Sequence, residues 1–203
     1  MRKEIQESLN PYDALVLLQE GNVRFLQDKL IDRDHNRKML ETSKGQYPFA
    51  VMLSCIDSRV PINLIFDQGI GDLFNIKIAG NIINKDILGS MEYSCKYAGS
   101  KLIVVISHTK CGAVTAACKG KAKNVKNLSP LLKKIKPAIK TVKSANPVLK
   151  KKELIEAVAL ENVGVSIANI REKSPVLNEL EQAGKIKIVG ASYDITTGEV
   201  TFL

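Results

Sequence analysis

Phe49-Ala50-Val51-Met52-Leu53 is a continuous apolar run that follows Pro48 and leads into Cys55-Ile56-Asp57-Ser58-Arg59. Five apolar residues without alternation fit a strand covered on both faces, which is how strands of a parallel sheet read. A second run, Lys101-Leu102-Ile103-Val104-Val105-Ile106, is rich in β-branched residues and delivers His108-Thr109-Lys110-Cys111-Gly112. Between the two, Asp72 to Ala79 alternates in part and stops at Gly80-Asn81, a further strand with its turn, and Ile87 to Ala98 reads as a helix. Upstream, Asn10-Pro11 has the form of an N-cap with proline at the first helical position. Leu15, Leu18, Phe25 and Leu26 give the helix that follows, to about Leu30, one apolar face. Downstream the pattern predicts a short helix from Cys111, a long one over about Lys151 to Arg171, another from Ser174-Pro175, and strands at Lys185 to Tyr193 and Val200 to Leu203. Strands alternating with helices predict an α/β fold with a central, mainly parallel sheet flanked by helices. Ligands of such sheets bind beyond the carboxyl ends of the strands, where both motifs lie.

The chain has 203 residues, 45% of them hydrophobic, enough for one buried core and for a single domain spanning 1–203. Within it, 1–45 reads as an N-terminal helical arm, 46–118 as the core bearing both motifs, and 119–203 as a Lys-rich helical segment with the last helices and strands. No apolar run is long enough to cross a bilayer, so membrane partners are not expected. Met1 to Asn10 has no apolar stretch behind a basic start, and the cytoplasm is the expected location. A reducing compartment disfavours disulfides among the four cysteines. The net charge of +9 suggests nucleic acid until it is located: residues 119–152 hold twelve lysines and no acidic residue, and without that segment the chain is mildly acidic. The segment has neither Arg nor aromatic residues, so the forked and stacking contacts used by nucleic-acid readers are missing. It reads as a solvated helical face, and no nucleic-acid partner is expected.

The two motifs together offer two thiolates, one imidazole and one carboxylate. Sulfur and imidazole nitrogen suit zinc, and two Cys with one His leave a fourth tetrahedral position for water, the arrangement of a catalytic site. Two thiolates cancel the charge of Zn²⁺, so such an ion acidifies its water less than one held by three neutral imidazoles. A helper for deprotonation and activity rising toward alkaline pH are expected. Asp57 is the natural helper, and Arg59 is spaced to hold it with a forked guanidinium. The pair has two possible uses: a carboxylate kept ionised beside the water, or one that swings onto the metal and closes it. Only His35 and His108 exist, which excludes a three-His site, and His35 lies in the polar stretch Asp32-Arg33-Asp34-His35-Asn36. Gly69-Ile70-Gly71 lacks the third glycine of a dinucleotide fingerprint, and no phosphate-loop lysine motif is present.

With Cys55 to Arg59, His108 to Gly112, and the intervening Gly71-Asp72-Leu73-Phe74 and Ala79-Gly80-Asn81, the sequence resembles the β-class carbonic anhydrases from about Gln46 to Ala116. The resemblance implies one Zn²⁺ per chain on Cys55, His108 and Cys111, and Asp57 with Arg59 as the catalytic dyad. It further implies substrate contacts from Gln46 and the Gly112 amide, and an apolar carbon dioxide pocket lined by Phe74, Ala79 and Tyr93. The reaction implied is attack of zinc-bound hydroxide on carbon dioxide to give bicarbonate and a proton. The resemblance also implies a homodimer or homotetramer, with the N-terminal helix packed on a partner protomer rather than on its own core. Two departures bear on regulation. In members inhibited allosterically by bicarbonate, a Trp and an Arg help form a separate anion pocket; Met52 and Lys77 stand at those places, and Lys77-Ile78 replaces the usual Arg-Asn. Bicarbonate regulation is therefore expected to be absent or weak.

Two other functions fit parts of the pattern. Carbonyl sulfide or carbon disulfide hydrolysis uses related folds with the same zinc set on similarly linear, apolar substrates. A structural zinc or nucleic-acid-binding module would use the Lys-rich segment, but would have no need of Asp57 and Arg59.

Overall fold

The computed structural model of the chain describes residues 1–120 and 125–203. Its helices are α1 (Lys3–Ser8), α2 (Pro11–Leu26), α3 (His35–Thr42), α4 (Ile62–Ile65), α5 (Lys85–Glu92), α6 (Gly112–Cys118), α7 (Leu128–Lys133), α8 (Lys136–Ala145), α9 (Lys151–Lys173) and α10 (Pro175–Gln182). The strands are β1 (Ala50–Ser54), β2 (Leu73–Lys77), β3 (Leu102–His108), β4 (Lys187–Tyr193) and β5 (Val200–Phe202). They form one sheet in the order β2-β1-β3-β4-β5, parallel except for β5, which runs antiparallel to β4. The expected α/β architecture with a mainly parallel sheet is present. Among the described residues no helix is long and apolar enough to cross a membrane.

Every residue of β1 and β3 is buried, because both faces of the sheet are covered. Met52, Leu102, Val104 and Val189 point into a layer formed with Ala14, Leu15 and Leu18 of α2 and with Phe66 after α4. Val51, Leu53, Ile103 and Val105, the alternate residues, pack against Ile87, Leu88 and Met91 of α5 and Val163 and Ile170 of α9. Period-two alternation thus serves two separate apolar layers, which is why neither strand shows a polar face.

The N-terminal helix is expected on a partner protomer rather than on its own core; within the chain, α2 does pack on its own core, while Tyr12, Val23 and Leu26 remain exposed. Its apolar stripe lies on its own sheet, with Ala14 and Leu18 fully buried. At Gly21 a methyl group would meet the Phe66 carbonyl oxygen at 1.8 Å, so only glycine allows this approach of α2. Asn22 donates to the carbonyls of Ile65 and Gly198 at 3.1 and 3.0 Å and accepts from the Val200 amide at 2.9 Å. The amphipathic pattern forecast a buried stripe without saying in which core.

Other differences are local. The helix expected over Ile87 to Ala98 starts at Lys85, because the Asn84 side chain caps the Ile87 amide at 2.9 Å. It widens into a π turn at Tyr93–Tyr97. The Lys-rich segment folds as α7 and α8, whose buried Leu132, Ala138 and Val142 leave Lys133, Lys136, Lys140 and Lys143 on the outside, as a solvated face requires. Lys121 and Lys123, which belong to that reading, lie outside the described residues.

Candidate metal centre

β1 continues to β2 on one side of the sheet while β3 lies on the other, so the β1/β3 boundary is the point at which the winding reverses. A crevice opens at the carboxyl ends of the strands at such a point. Cys55 is the first residue beyond β1, His108 the last of β3, and Cys111 the residue before α6. Lys110, at φ 57°, turns the chain sharply enough to bring Cys111 back beneath His108.

The three side chains are buried, and their ligand atoms lie within 4.8 Å of one another. The Cys55 and Cys111 sulfurs are 3.9 Å apart. Two thiolates bound to zinc at about 2.3 Å and a tetrahedral angle would be separated by ~3.8 Å, so the spacing suits that ion. His108 Nδ1 faces the Thr109 carbonyl oxygen at 2.9 Å, which fixes the proton on Nδ1 and leaves the lone pair on Nε2. That Nε2 is buried and, among the described residues, has no hydrogen-bond partner. A buried unsatisfied nitrogen costs free energy unless something fills the position, and a cation between the two sulfurs would do so.

The Cys111 thiol donates to Cys55 Sγ, and this contact lowers the Cys55 thiol against the opposing effect of burial. The same contact and burial push Cys111 up. The Gly80 amide also donates to Cys55 Sγ, at 3.4 Å. Gly80, at φ 71°, lies in the tight turn Ala79–Asn81.

Asp57 stands two residues beyond Cys55. Arg59 holds it at three points: Nε to Oδ1 at 2.9 Å, Nη2 to Oδ2 at 2.8 Å and the backbone amide to Oδ1 at 3.0 Å. The Arg59 hydrogen bonds keep the Asp57 carboxyl well below the usual carboxylate range, although burial opposes them. Asp57 Oδ2 is 3.8 Å from His108 Nε2, so the carboxylate borders the position the cation would take while its own hydrogen bonds go to Arg59.

The other expected site residues are more scattered. Gly112 opens α6 beside Cys111, and Ala79 begins the turn that carries Gly80. Phe74 lies edge-on to Tyr93 with ring centres 6.3 Å apart, and Tyr93 stacks on an exposed Tyr97, forming an aromatic group on the β2 side of the sheet. Gln46 is exposed on the loop before Pro48, with no side-chain hydrogen bond among the described residues. Lys77 ties down the 55–60 loop by donating to the Val60 carbonyl at 2.7 Å. Sequence reasoning missed that role, and it missed Thr109, Asn162 and Ser166. The last two had a signal, polar residues four apart within the apolar stretch of a long helix.

The chain is similar to proteins of known family. The family model described as carbonic anhydrase matches residues 50–200. Carbonic anhydrase 2 of Mycobacterium tuberculosis (strain H37Rv) is 33% identical over 201 residues, 93% of this chain and 91% of that protein. A carbonic anhydrase of Mycolicibacterium smegmatis is 30% identical over 195 residues, covering 94% and 92%. Among solved structures, the β-carbonic anhydrase CcaA superposes with a TM-score of 0.78 at 26% identity, over 98% of this chain and 95% of that one. CafA of Aspergillus fumigatus gives 0.74 at 26%, over 95% and 89%. By sequence over nearly its whole length, by fold and by its buried Cys-His-Cys group, the chain belongs to the β-class carbonic anhydrase family.

Proposed function

We propose that the protein is a zinc enzyme for the reversible hydration of carbon dioxide to bicarbonate and a proton. The observation that carries this is the orphaned His108 Nε2, facing two sulfurs 3.9 Å apart and bordered by an ionised Asp57. Cys55, His108 and Cys111 would hold the metal. A zinc ion so held would supply Lewis acidity that lowers the pKa of water, less strongly than with three neutral imidazoles because two thiolates offset its charge.

The chain's own residues do the rest. Arg59 keeps Asp57 charged and turned toward itself, so that Asp57 Oδ2 is free to accept a hydrogen bond from water without occupying the metal. Gly112 offers a backbone amide at the start of α6 for a substrate oxygen. Phe74, Ala79 and Tyr93 supply apolar walls suited to an uncharged, linear substrate. Tyr93 and Gln46 are exposed in the single chain, which suits a pocket completed by a second copy in a homodimer or homotetramer. A single catalytic domain in the cytoplasm completes the proposal.

Stopped-flow hydration of carbon dioxide, alongside zinc content and parallel turnover of carbonyl sulfide, tests it. Cys111→Ser is expected to lose both metal and activity. Activity that survived complete removal of metal, or a large excess of turnover for carbonyl sulfide, would overturn the assignment.

A further inference from the structure

α9 buries two polar side chains, Asn162 and Ser166, one helical turn apart and both facing the Ala79–Asn81 turn. Buried polar residues in the apolar stripe of a helix cost free energy unless they are satisfied, so what they bind matters. Asn162 Nδ2 donates to the Gly80 carbonyl at 2.8 Å, and Ser166 Oγ donates to the Asn81 carbonyl at 3.0 Å. Both bonds end on consecutive residues of the one turn whose Gly80 amide donates to Cys55 Sγ. Within the turn one backbone bond, from the Asn81 amide to the Ile78 carbonyl at 3.0 Å, closes the geometry; Gly80 at φ 71° has no preference for that conformation over others, and Asn81 at φ 40° is disfavoured in it.

We infer that Asn162, seconded by Ser166, is a positioning residue for the metal centre: it fixes the Gly80–Asn81 turn so that the Gly80 amide stays aimed at Cys55 Sγ. A donor bonded directly to a metal ligand, as the Gly80 amide is to Cys55, orients that ligand and tunes its donor strength, and losing such a donor costs about 10- to 100-fold in metal affinity. With the Gly80 carbonyl released, Gly80 is free to sample other φ values and its amide is no longer held on the sulfur. The inference rests on the reading that Cys55 is a metal ligand.

Zinc affinity and the rate of zinc release to a competing chelator, measured on the folded protein, separate this role from mere stability. Asn162→Ala is expected to weaken zinc binding about 10-fold or more, and Ser166→Ala, a smaller lesion that keeps the inference testable if the first variant fails to fold, to do so several-fold. Ser174→Ala is the comparison. Ser174 is fully buried and caps the Leu177 amide of α10, so its loss destabilises the fold without touching the turn, and zinc binding is expected to stay at the wild-type value. Zinc binding by Ser166→Ala within twofold of wild type, or an equal loss in Ser174→Ala, would overturn the inference. A wild-type protein that bound no zinc would instead overturn the functional reading beneath it.

Discussion

Replacing Gly80 by Ala strikes the turn beside Cys55 directly, and the cost can be worked from its surroundings. Alanine at φ 71° pays about 1–2 kcal/mol for the left-handed conformation. Its methyl group would meet Ile135 Cδ1 at 2.8 Å and Ala113 Cβ at 3.4 Å. The first of these is the tip of a flexible side chain, which yields by leaving its rotamer for about 0.5–1.5 kcal/mol. The sum is about 1.5–3.5 kcal/mol, a shift of about 1 M in the urea midpoint. Zinc affinity should fall as well, because the turn relieves both contacts by drawing its amide away from the sulfur. Gly89→Ala is the internal standard. Gly89 lies in α5 with an ordinary helical backbone, and a methyl group there would have nothing within 4 Å, so alanine should be neutral or stabilising by about 0.5–1 kcal/mol. Equilibrium urea unfolding of the zinc-free proteins, with zinc titrations in parallel, reads both effects. If Gly80→Ala unfolded with Gly89→Ala and bound zinc like the wild type, the turn would not be held as described.

Asp57→Asn should retain zinc but lose most hydration activity, since a neutral amide cannot serve as the ionised acceptor; full activity with normal zinc content would remove Asp57 from the proposed mechanism. Asp67 is buried between Arg24 and Arg33. Burial works to raise its carboxyl, and the hydrogen bonds from the two guanidinium groups more than offset that, leaving it below the usual range. Asp67→Asn should cost about 3 kcal/mol at neutral pH, the low end for a broken buried pair because both arginines reach water. A depressed folded-state pKa contributes stability that is full above the unfolded value, near 4, and is lost as pH falls through the folded value. The difference between wild type and variant should therefore shrink on acidification below about pH 4, and a gap of constant size down to pH 2.5 would contradict the ion-pair account. Inhibition by bicarbonate should be non-cooperative, because Met52 is locked in the core under α2 and the Lys77 ammonium is committed to the Val60 carbonyl; steady-state kinetics with a sigmoidal bicarbonate response would refute this.

The central strands and the metal group were legible in the sequence because each leaves a dense local signal. The Phe49–Leu53 and Leu102–Ile106 runs can be covered on both faces only inside a sheet, and a strand that ends in Cys or His places that residue at the carboxyl edge. Short elements had no such signal. α3 buries nothing and is held by its Asp34 cap on the Arg37 amide at 2.9 Å, so it shows no apolar period to read. The π turn at Tyr93–Tyr97 and the four-residue α4 depend on packing, which local propensity does not encode. The packing of α2 on its own sheet depends on Gly21 and Asn22 meeting partners more than forty residues away. Asn162 and Ser166 were visible as polar interruptions of α9, but their targets, two carbonyls about eighty residues earlier, exist only in the folded chain.

Because Cys55 follows β1 and His108 ends β3, a cation shared between them would bolt the central strand of the sheet to its neighbour. Parting those strands would break the coordination, and the least costly escape for the ion is a local opening of the Thr109–Cys111 corner. Metal release and global unfolding would then follow different clocks: the first set by one sharp turn, the second by the whole sheet and slowed for as long as the bolt is in place.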